Sequence, residues 1–338
     1  MTLKRIKVGL CGLGRLGKLY AQYLAHTVPE IQLTAVADPD AARLEQVASE
    51  TEARPYNDPL TMMDDKQVEA VVIVTPTVTH KTLIEAAAAR SKPIFCEKPL
   101  SLTLAEAEAV RQIVEGSGIF FQMGFQRRYD KGFAEAKRKL EEGVIGRPVV
   151  FKSTSRDPYL PSLEYVHPKN SGGLLIDMAV HDFDVARWMM GEVKSIHALG
   201  ATLVYKELDT IGDIDNAIVS LTFKNQGLGV VDVTRNGLYG YDISADILGT
   251  EGTLRVGYLQ ETPLLVMKKN NVSHDTVPFF PERFGAAYVA QLGDFARNLL
   301  QDRPSPVTIG DGIAALRIAV AATRSYQTET TVEVASVQ

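Results

Sequence analysis

Cysteine, basic clusters and long apolar runs are all scarce in this 338-residue chain, and each scarcity excludes something. The two cysteines, Cys11 and Cys96, sit in or at the end of apolar, strand-like runs. They read as small buried hydrophobes, which argues against a disulfide-stapled secreted scaffold. No apolar run approaches the roughly 18 residues that cross a membrane. The opening MTLKRIKVGLCGLG runs almost directly into a strand, with no h-region or cleavage site, so no signal peptide is expected. A cytoplasmic location is the default expectation. The formal net charge is −5, and no basic stretch is long enough to suggest nucleic acid or a membrane surface as partner. Internal repeats, low-complexity tracts and long linkers are missing too.

Apolar residues make up 45% of the chain and charged residues 23%, as in an ordinary globular protein. The length fits two domains. Through residue 125, short apolar runs alternate with helical patterns. The strand candidates are IKVGLCG (6–12), IQLTAVAD (31–38), EAVVIVT (69–75), PIFCE (93–97) and IFFQMGF (119–125). Nearly continuous apolar strands separated by helices predict a parallel sheet covered on both faces. The stretch 103–116 predicts a helix that Thr103 caps, with Glu106 three residues on, and that Gly116 ends.

The pattern changes after residue 147. GLLIDMAVHDFDVARWMMG predicts one strong helix. The runs VKSIHALGATLV, NAIVSLTF, GLGVVDVTR, YDISADILG, GTLRVGY and PLLVMKK follow, and turn signals such as KNQG and GTEG predict antiparallel hairpins. Helical patterns over 284–301 and 311–327 close the chain. The expected architecture is an α/β nucleotide-binding domain over 1–125, then an α+β domain with a large antiparallel sheet over 126–338. The last helices are free to pack back on the first domain.

GLCGLGRLG contains G-x-G-x-x-G as Gly12, Gly14 and Gly17, with Arg15 and Leu16 between the last two. The motif follows an apolar strand and opens a helix at the first βα turn, which is the context that gives it meaning. Gly12 allows the sharp turn, Gly14 lets a pyrophosphate approach the backbone, and Gly17 lets the helix pack closely. The phosphates then meet unpaired N–H groups at the helix N-terminus. Asp38 ends the second strand, where a carboxylate accepts hydrogen bonds from the adenosine ribose. It would repel a 2′-phosphate, so NAD is expected rather than NADP. Arg43 is the nearest later cation and would have to reach back about one helical turn to favour NADP.

Glu97 and Lys98 follow the strand PIFC, and the carboxyl ends of parallel strands line the ligand crevice. Lys98 is thereby placed near the nicotinamide. Asp177, His181 and Asp184 fall at i, i+4 and i+7, one face of a continuous helix. Asp and His at i, i+4 can also share a metal ion. No third ligand or cysteine cluster accompanies them, so no metal is expected.

GLGRLG, VTPTVTH (74–80), CEKPL (96–100), GFQRRYD (124–130) and GGLLIDMAVHDFDVARWMMG (172–191), in this order, resemble the glucose–fructose oxidoreductase/inositol dehydrogenase (Gfo/Idh/MocA) family. GFQRRYD with HDFDVARW and YGYD (239–242) is most similar to the inositol dehydrogenase branch. The resemblance covers nearly the whole chain. It implies a Rossmann domain plus an open-faced antiparallel sheet, and a homotetramer in which exposed sheet faces pack together. It also implies that Thr75, Pro76 and His80 lie beside the cofactor, that Lys98 and His181 face the substrate, and that the Lys98–Pro99 bond is cis.

Oxidising a secondary alcohol sends a hydride to the nicotinamide and a proton to a base. Histidine, with an ordinary pKa of ~6.5, accepts that proton near neutrality. His181 is therefore assigned as base. Lys98 donates a hydrogen bond to the reacting oxygen, and Asp177 binds a neighbouring hydroxyl. Ring selectivity needs groups that bond several hydroxyls, and the candidates are Arg128, Arg156, Asp157 and Asp184. Tyr239 and Tyr241 would share a face on a strand; the family position corresponds to either, and Tyr241 is preferred. Arg127 and Arg128 would point to opposite sides if their strand continued. His167 reads as a loop residue at a pocket rim and Trp188 as core. The expected substrate is a ring polyol such as myo- or scyllo-inositol. An aldose dehydrogenase is the nearest alternative, and a non-catalytic NAD-sensing regulator a remote one.

Overall fold

The computed structural model describes residues 4–337. The chain divides into two units, one running to Gln126 and including Ala286–Ala314, the other comprising Arg127–Gly285 and the chain from Ala315 on.

In the first unit, β1 (Ile6–Cys11), β2 (Ile31–Ala37), β3 (Arg54–Tyr56), β4 (Ala70–Ile73), β5 (Ile94–Glu97) and β6 (Phe121–Gly124) form one sheet. Its order is β3-β2-β1-β4-β5-β6 and every pair is parallel. Val8, Leu10, Val71, Val72, Ile73 and Phe95 are fully buried, as strands covered on both faces require. The strand order reverses between β1 and β4, the point where such sheets bind ligands beyond the carboxyl ends of their strands. β3 carried no recognisable pattern because it is a three-residue edge strand with a proline and an exposed arginine.

Thr103 caps the helix Leu104–Ser117 by accepting the Glu106 N–H at 3.2 Å. The helix ends at Gly118, at φ +66°, and not at Gly116. Residues 286–314, read from sequence with the second domain, belong to this unit. Phe295 lies edge-on to Phe95 and Phe120, with ring centres 5.8 and 5.7 Å away.

The second unit is built on a seven-stranded sheet. Its strands are β7 (Pro148–Arg156), β8 (Val193–Ala201), β9 (Asn216–Phe223), β10 (Leu228–Thr234), β11 (Asp242–Gly249) and β12 (Thr253–Val256). A two-residue β15 (Val332–Glu333) joins one edge, and the separate hairpin β13 (Val266–Lys268) with β14 (Asn271–Ser273) precedes the last helices. The order is β12-β11-β7-β10-β9-β8-β15.

The sheet is mixed, because β7 runs parallel to β10 while its other neighbour, β11, is antiparallel. β7 was invisible in the sequence for a physical reason. Its buried side presents Ser153 and Ser155, which hydrogen-bond to Asp182, so the usual apolar alternation is absent. The other face is open, with Leu199, Ile218, Leu228 and Leu248 exposed on β8, β9, β10 and β11.

The single helix expected over 173–191 is two, Leu174–Asp177 and Val180–Met190. Met178, at φ −97° and ψ −55°, caps the first. Asp177 and His181 therefore lie on different helices, and the one-face argument does not hold for them.

Candidate active site

The three motif glycines have three different surroundings. Gly12 sits at φ +90°, and a methyl there would come within 2.5 Å of the Val74 carbonyl oxygen. A methyl on Gly17 would come within 2.0 Å of the Gly12 carbonyl oxygen, so only glycine lets the helix Arg15–His26 pack against the turn. A methyl on Gly14 would meet nothing within 4 Å. That open cradle lies at the helix N-cap, where no side chain caps the helix and its first turn holds no acidic residue. A helix N-terminus opening on such a space fits a pyrophosphate. Arg15 is exposed and Leu16 half-buried at the same turn.

Asp38 is buried beside this cradle. Its Oδ2 accepts the Leu13 N–H at 2.7 Å and its Oδ1 the Asp40 N–H at 2.9 Å. Arg43 pairs with Asp40 at 2.9 Å and stands 3.9 Å from Asp38. The nearby cation is thus held by two carboxylates.

The loop after β4 leaves Thr75 half-buried and Pro76 exposed. His80 is buried behind them. Its Nε2 lies 3.0 Å from the Thr75 carbonyl oxygen and its Nδ1 2.9 Å from that of Pro99. The ring is a strut between the Thr75 turn and the cis Lys98–Pro99 bond, and burial pushes its pKa down. Lys98 is half-buried, and Glu97 is fully enclosed behind it. The Tyr20 hydroxyl donates to Glu97, Gln291 Nε2 donates at 3.4 Å, and Glu97 Oε2 accepts the Lys98 N–H at 3.1 Å. Burial raises the Glu97 pKa against these bonds. His80 and Glu97, expected at the cofactor surface, are enclosed, His80 behind Thr75 and Glu97 behind Lys98.

In the second unit, Asp177 Oδ2 accepts from Arg235 Nη2 at 3.2 Å, and His181 is half-buried. Asp157 lies close enough to act on both Arg235 and Tyr241. The strand holding Tyr239 and Tyr241 was expected too early, since β11 begins at Asp242 and Gly240 turns the chain at φ +140°. The two tyrosines separate as a result. Tyr239 is exposed overall and donates to Asp242 at 2.7 Å, and partial desolvation of its hydroxyl with that bond pushes its pKa up to about 12. Tyr241 is buried, edge-on to Phe279 and Phe284, and burial with the Asp157 charge pushes its pKa up.

Three of the expected hydroxyl ligands have other partners. Arg128 Nε donates to Asp184 Oδ2 at 2.9 Å in a buried, two-bond pair, and its guanidinium stands 5.7 Å from the Trp188 ring centre. Trp188 is half-buried beneath that cation, not core. Arg156 alternates away from Ser155 to the open face of the sheet, where it pairs with Asp232. β6 stops at Gly124 and residues 126–129 form a 3-10 turn, so Arg127 and Arg128 are both buried. Arg127 Nη1 bonds Asp182 at 2.7 Å. His167 Nδ1 accepts the Lys169 N–H at 3.2 Å and caps a short helix. Among the described residues no group of three or more His, Cys, Asp or Glu side chains could hold a metal.

Arg235 and Asp213 were missed. The only signal was an arginine directly after the apolar run VVDVT, a costly place for a charge.

A glycine cradle at the first βα turn and an acid at the end of β2 define a dinucleotide-binding protein. The chain belongs to the Gfo/Idh/MocA oxidoreductase family: residues 6–125 match its NAD-binding Rossmann fold and 137–334 its C-terminal alpha/beta domain. It is 37% identical to a scyllo-inositol 2-dehydrogenase (NAD(+)) of Bacillus subtilis, over 96% of this chain and 94% of that protein. It is 35% identical to a myo-inositol 2-dehydrogenase of Thermotoga maritima, over 98% and 99%. Among solved structures, a Lactobacillus casei scyllo-inositol dehydrogenase with bound NAD(H) and scyllo-inositol superposes with a TM-score of 0.94 at 30% identity, covering 98% of this chain and 100% of that one.

Proposed function

We propose that this protein oxidises one secondary hydroxyl of an inositol ring to the ketone with NAD. The observation that carries the cofactor half is the open cradle at Gly14 beside the buried carboxylate of Asp38. The inositol half is supported by relatives that align over nearly the full chain and are named inositol dehydrogenases. NAD supplies a hydride acceptor. Gly12, Gly14, Arg15, Leu16 and Gly17 would hold its pyrophosphate and Asp38 its adenosine ribose, with Thr75 and Pro76 alongside.

His181 accepts the hydroxyl proton, Lys98 donates a hydrogen bond to the oxygen as negative charge develops there, and Asp177 holds the adjacent hydroxyl. Asp157 and Tyr241 supply further contacts to the ring. The Arg128–Asp184 pair acts as the scaffold under them, since each charge is already met by the other. We further propose a homo-oligomer, a tetramer, formed through the open sheet face, on the strength of its exposed Leu199, Ile218, Leu228 and Leu248. The buried free thiols of Cys11 and Cys96 suit a reducing, cytoplasmic setting.

The test is NAD⁺ reduction with myo-inositol, scyllo-inositol, and D- and L-aldoses. Oxidation of at least one inositol is expected. Turnover of a pyranose alone would replace the polyol reading with the aldose one, and turnover of linear polyols alone would end both.

A further inference from the structure

The short helix Leu174–Asp177 ends on Asp177 and is clamped at both ends. Gly172 and Gly173 lead into it at φ +82° and +79°. A methyl on Gly172 would lie 2.7 Å from the Ile176 side chain, and one on Gly173 2.8 Å from Asp213 Oδ1. That same oxygen accepts the Leu174 N–H at 2.9 Å, satisfying an open donor at the helix start. At the other end Arg235 reaches Asp177, as given above.

Arg235 is the bulkiest of the fully buried side chains, and its backbone N–H donates to the Asp215 carbonyl at 2.9 Å. Three carboxylates act on its charge, with Asp177 foremost, then Asp157 from the end of β7 and Asp213 from the turn before β9. Burying a guanidinium carries a desolvation cost that an aliphatic side chain of similar volume avoids. Packing alone does not account for arginine here. Its planar fork fixes the direction of a carboxylate in a way a point charge does not.

We propose that Arg235 is a positioning residue for catalysis, which fixes the Asp177 carboxylate and keeps it charged so that it can hold the substrate hydroxyl. This rests on the role given to Asp177 under the proposed function. Arg235 acts through Asp177 and touches neither the reacting carbon nor its oxygen.

The test compares Arg235→Gln, Arg235→Lys and Asp177→Asn with the wild type, using NAD⁺ and whichever inositol is oxidised. Arg235→Gln should lower kcat about tenfold or more, the loss expected for a charged hydrogen bond, with NADH binding by fluorescence titration near wild type. Loss of the cation favours protonation of both Asp177 and the His181 base beside it in the proposed site, so the acidic limb of the kcat profile, set by His181, should move to higher pH by roughly one unit. Arg235→Lys keeps the charge without the fork. Its kcat should fall between wild type and Arg235→Gln, with the limb close to wild type. Wild-type kcat in either folded variant overturns the proposal. Equal slowing in both with an unmoved limb also overturns it, since that is what a merely structural arginine would give. If Arg235→Gln does not fold, Arg235→Lys decides alone: an intermediate kcat with unchanged NADH binding is expected, and wild-type kcat overturns. Full activity in Asp177→Asn would instead refute the role of Asp177 itself.

Discussion

Asp38 Oδ2 accepts the backbone N–H of Leu13 at 2.7 Å, which ties the end of β2 to the middle of the glycine turn. One carboxylate both shapes the pyrophosphate cradle and stands where a ribose would be read. Arg43, the cation that could favour a 2′-phosphate, is already paired with Asp40. The wild type should therefore have a far higher kcat/KM with NAD⁺ than with NADP⁺. Asp38→Ser should narrow that gap by roughly tenfold or more, the value of a hydrogen bond to a charged group. Comparison of kcat/KM for the two cofactors decides it, and a wild-type preference for NADP⁺ would refute the assignment.

The three glycines predict three different failures. Gly14→Ala places its methyl in open space, so the protein should melt near wild type while the KM for NAD⁺ rises. Gly17→Ala drives a methyl against the Gly12 carbonyl, and should lower stability by at least the ~1–3 kcal/mol typical of overpacking. Gly12→Ala adds an unfavourable backbone angle to a clash with Val74 and should be at least as damaging. Melting temperature and NADH titration of the three variants separate the effects. Equal stability loss at Gly14 and Gly17 would contradict the geometry.

The first unit was legible because its strands are buried on both faces and its motif sits at a fixed place in the topology. Burial of Val8, Leu10, Val71, Val72 and Ile73 leaves apolar runs in the sequence, and a G-x-G-x-x-G turn between such a strand and a helix takes its meaning from that context. The second unit hid its polar interior. Ser153, Ser155, Arg127 and Asp182 form a buried hydrogen-bonded cluster, and such a cluster looks like surface to any reading based on hydropathy. The same blindness applied to Arg235. Asp177 and His181 were paired for a reason that does not hold, since the helix supposed to align them breaks at Met178 and Ala179. Arg156 failed by parity: on β7 a residue next to inward Ser155 must point outward.

Glu97 gives a stability test with a definite sign. Burial raises its pKa in the folded protein, so the folded state holds its proton more tightly than the unfolded one. Its contribution to stability is then fully present below the unfolded value of ~4.3 and is lost as pH rises through the higher folded value. Glu97→Gln cannot ionise. Relative to this variant, the wild type should lose thermal stability as pH rises above about 4. The gap should stop growing once the folded carboxyl has ionised. Parallel melting curves from pH 4 to 8 check this, and a constant difference between the two proteins would show that the folded and unfolded values do not differ.

The proton acceptor is the most exposed part of the mechanism. If His181 takes the proton, the base must be unprotonated to work, so kcat should rise with pH through its titration and level off above it. His181→Ala should lower kcat by about 10²–10⁴-fold, the usual worth of a general base. The acidic limb should weaken or vanish with it. NADH binding, which we assign to the glycine cradle and Asp38, should be nearly kept. Lys98→Ala should also lower kcat, through lost stabilisation of charge on the oxygen. The double variant should lose less than the product of the two single losses, because groups that act as one unit are not additive. Steady-state kinetics across pH on the three variants, with NADH titrations beside them, make the comparison. Near wild-type kcat in His181→Ala, with the acidic limb intact, would move the base to another group, and Lys98 would be the first to examine.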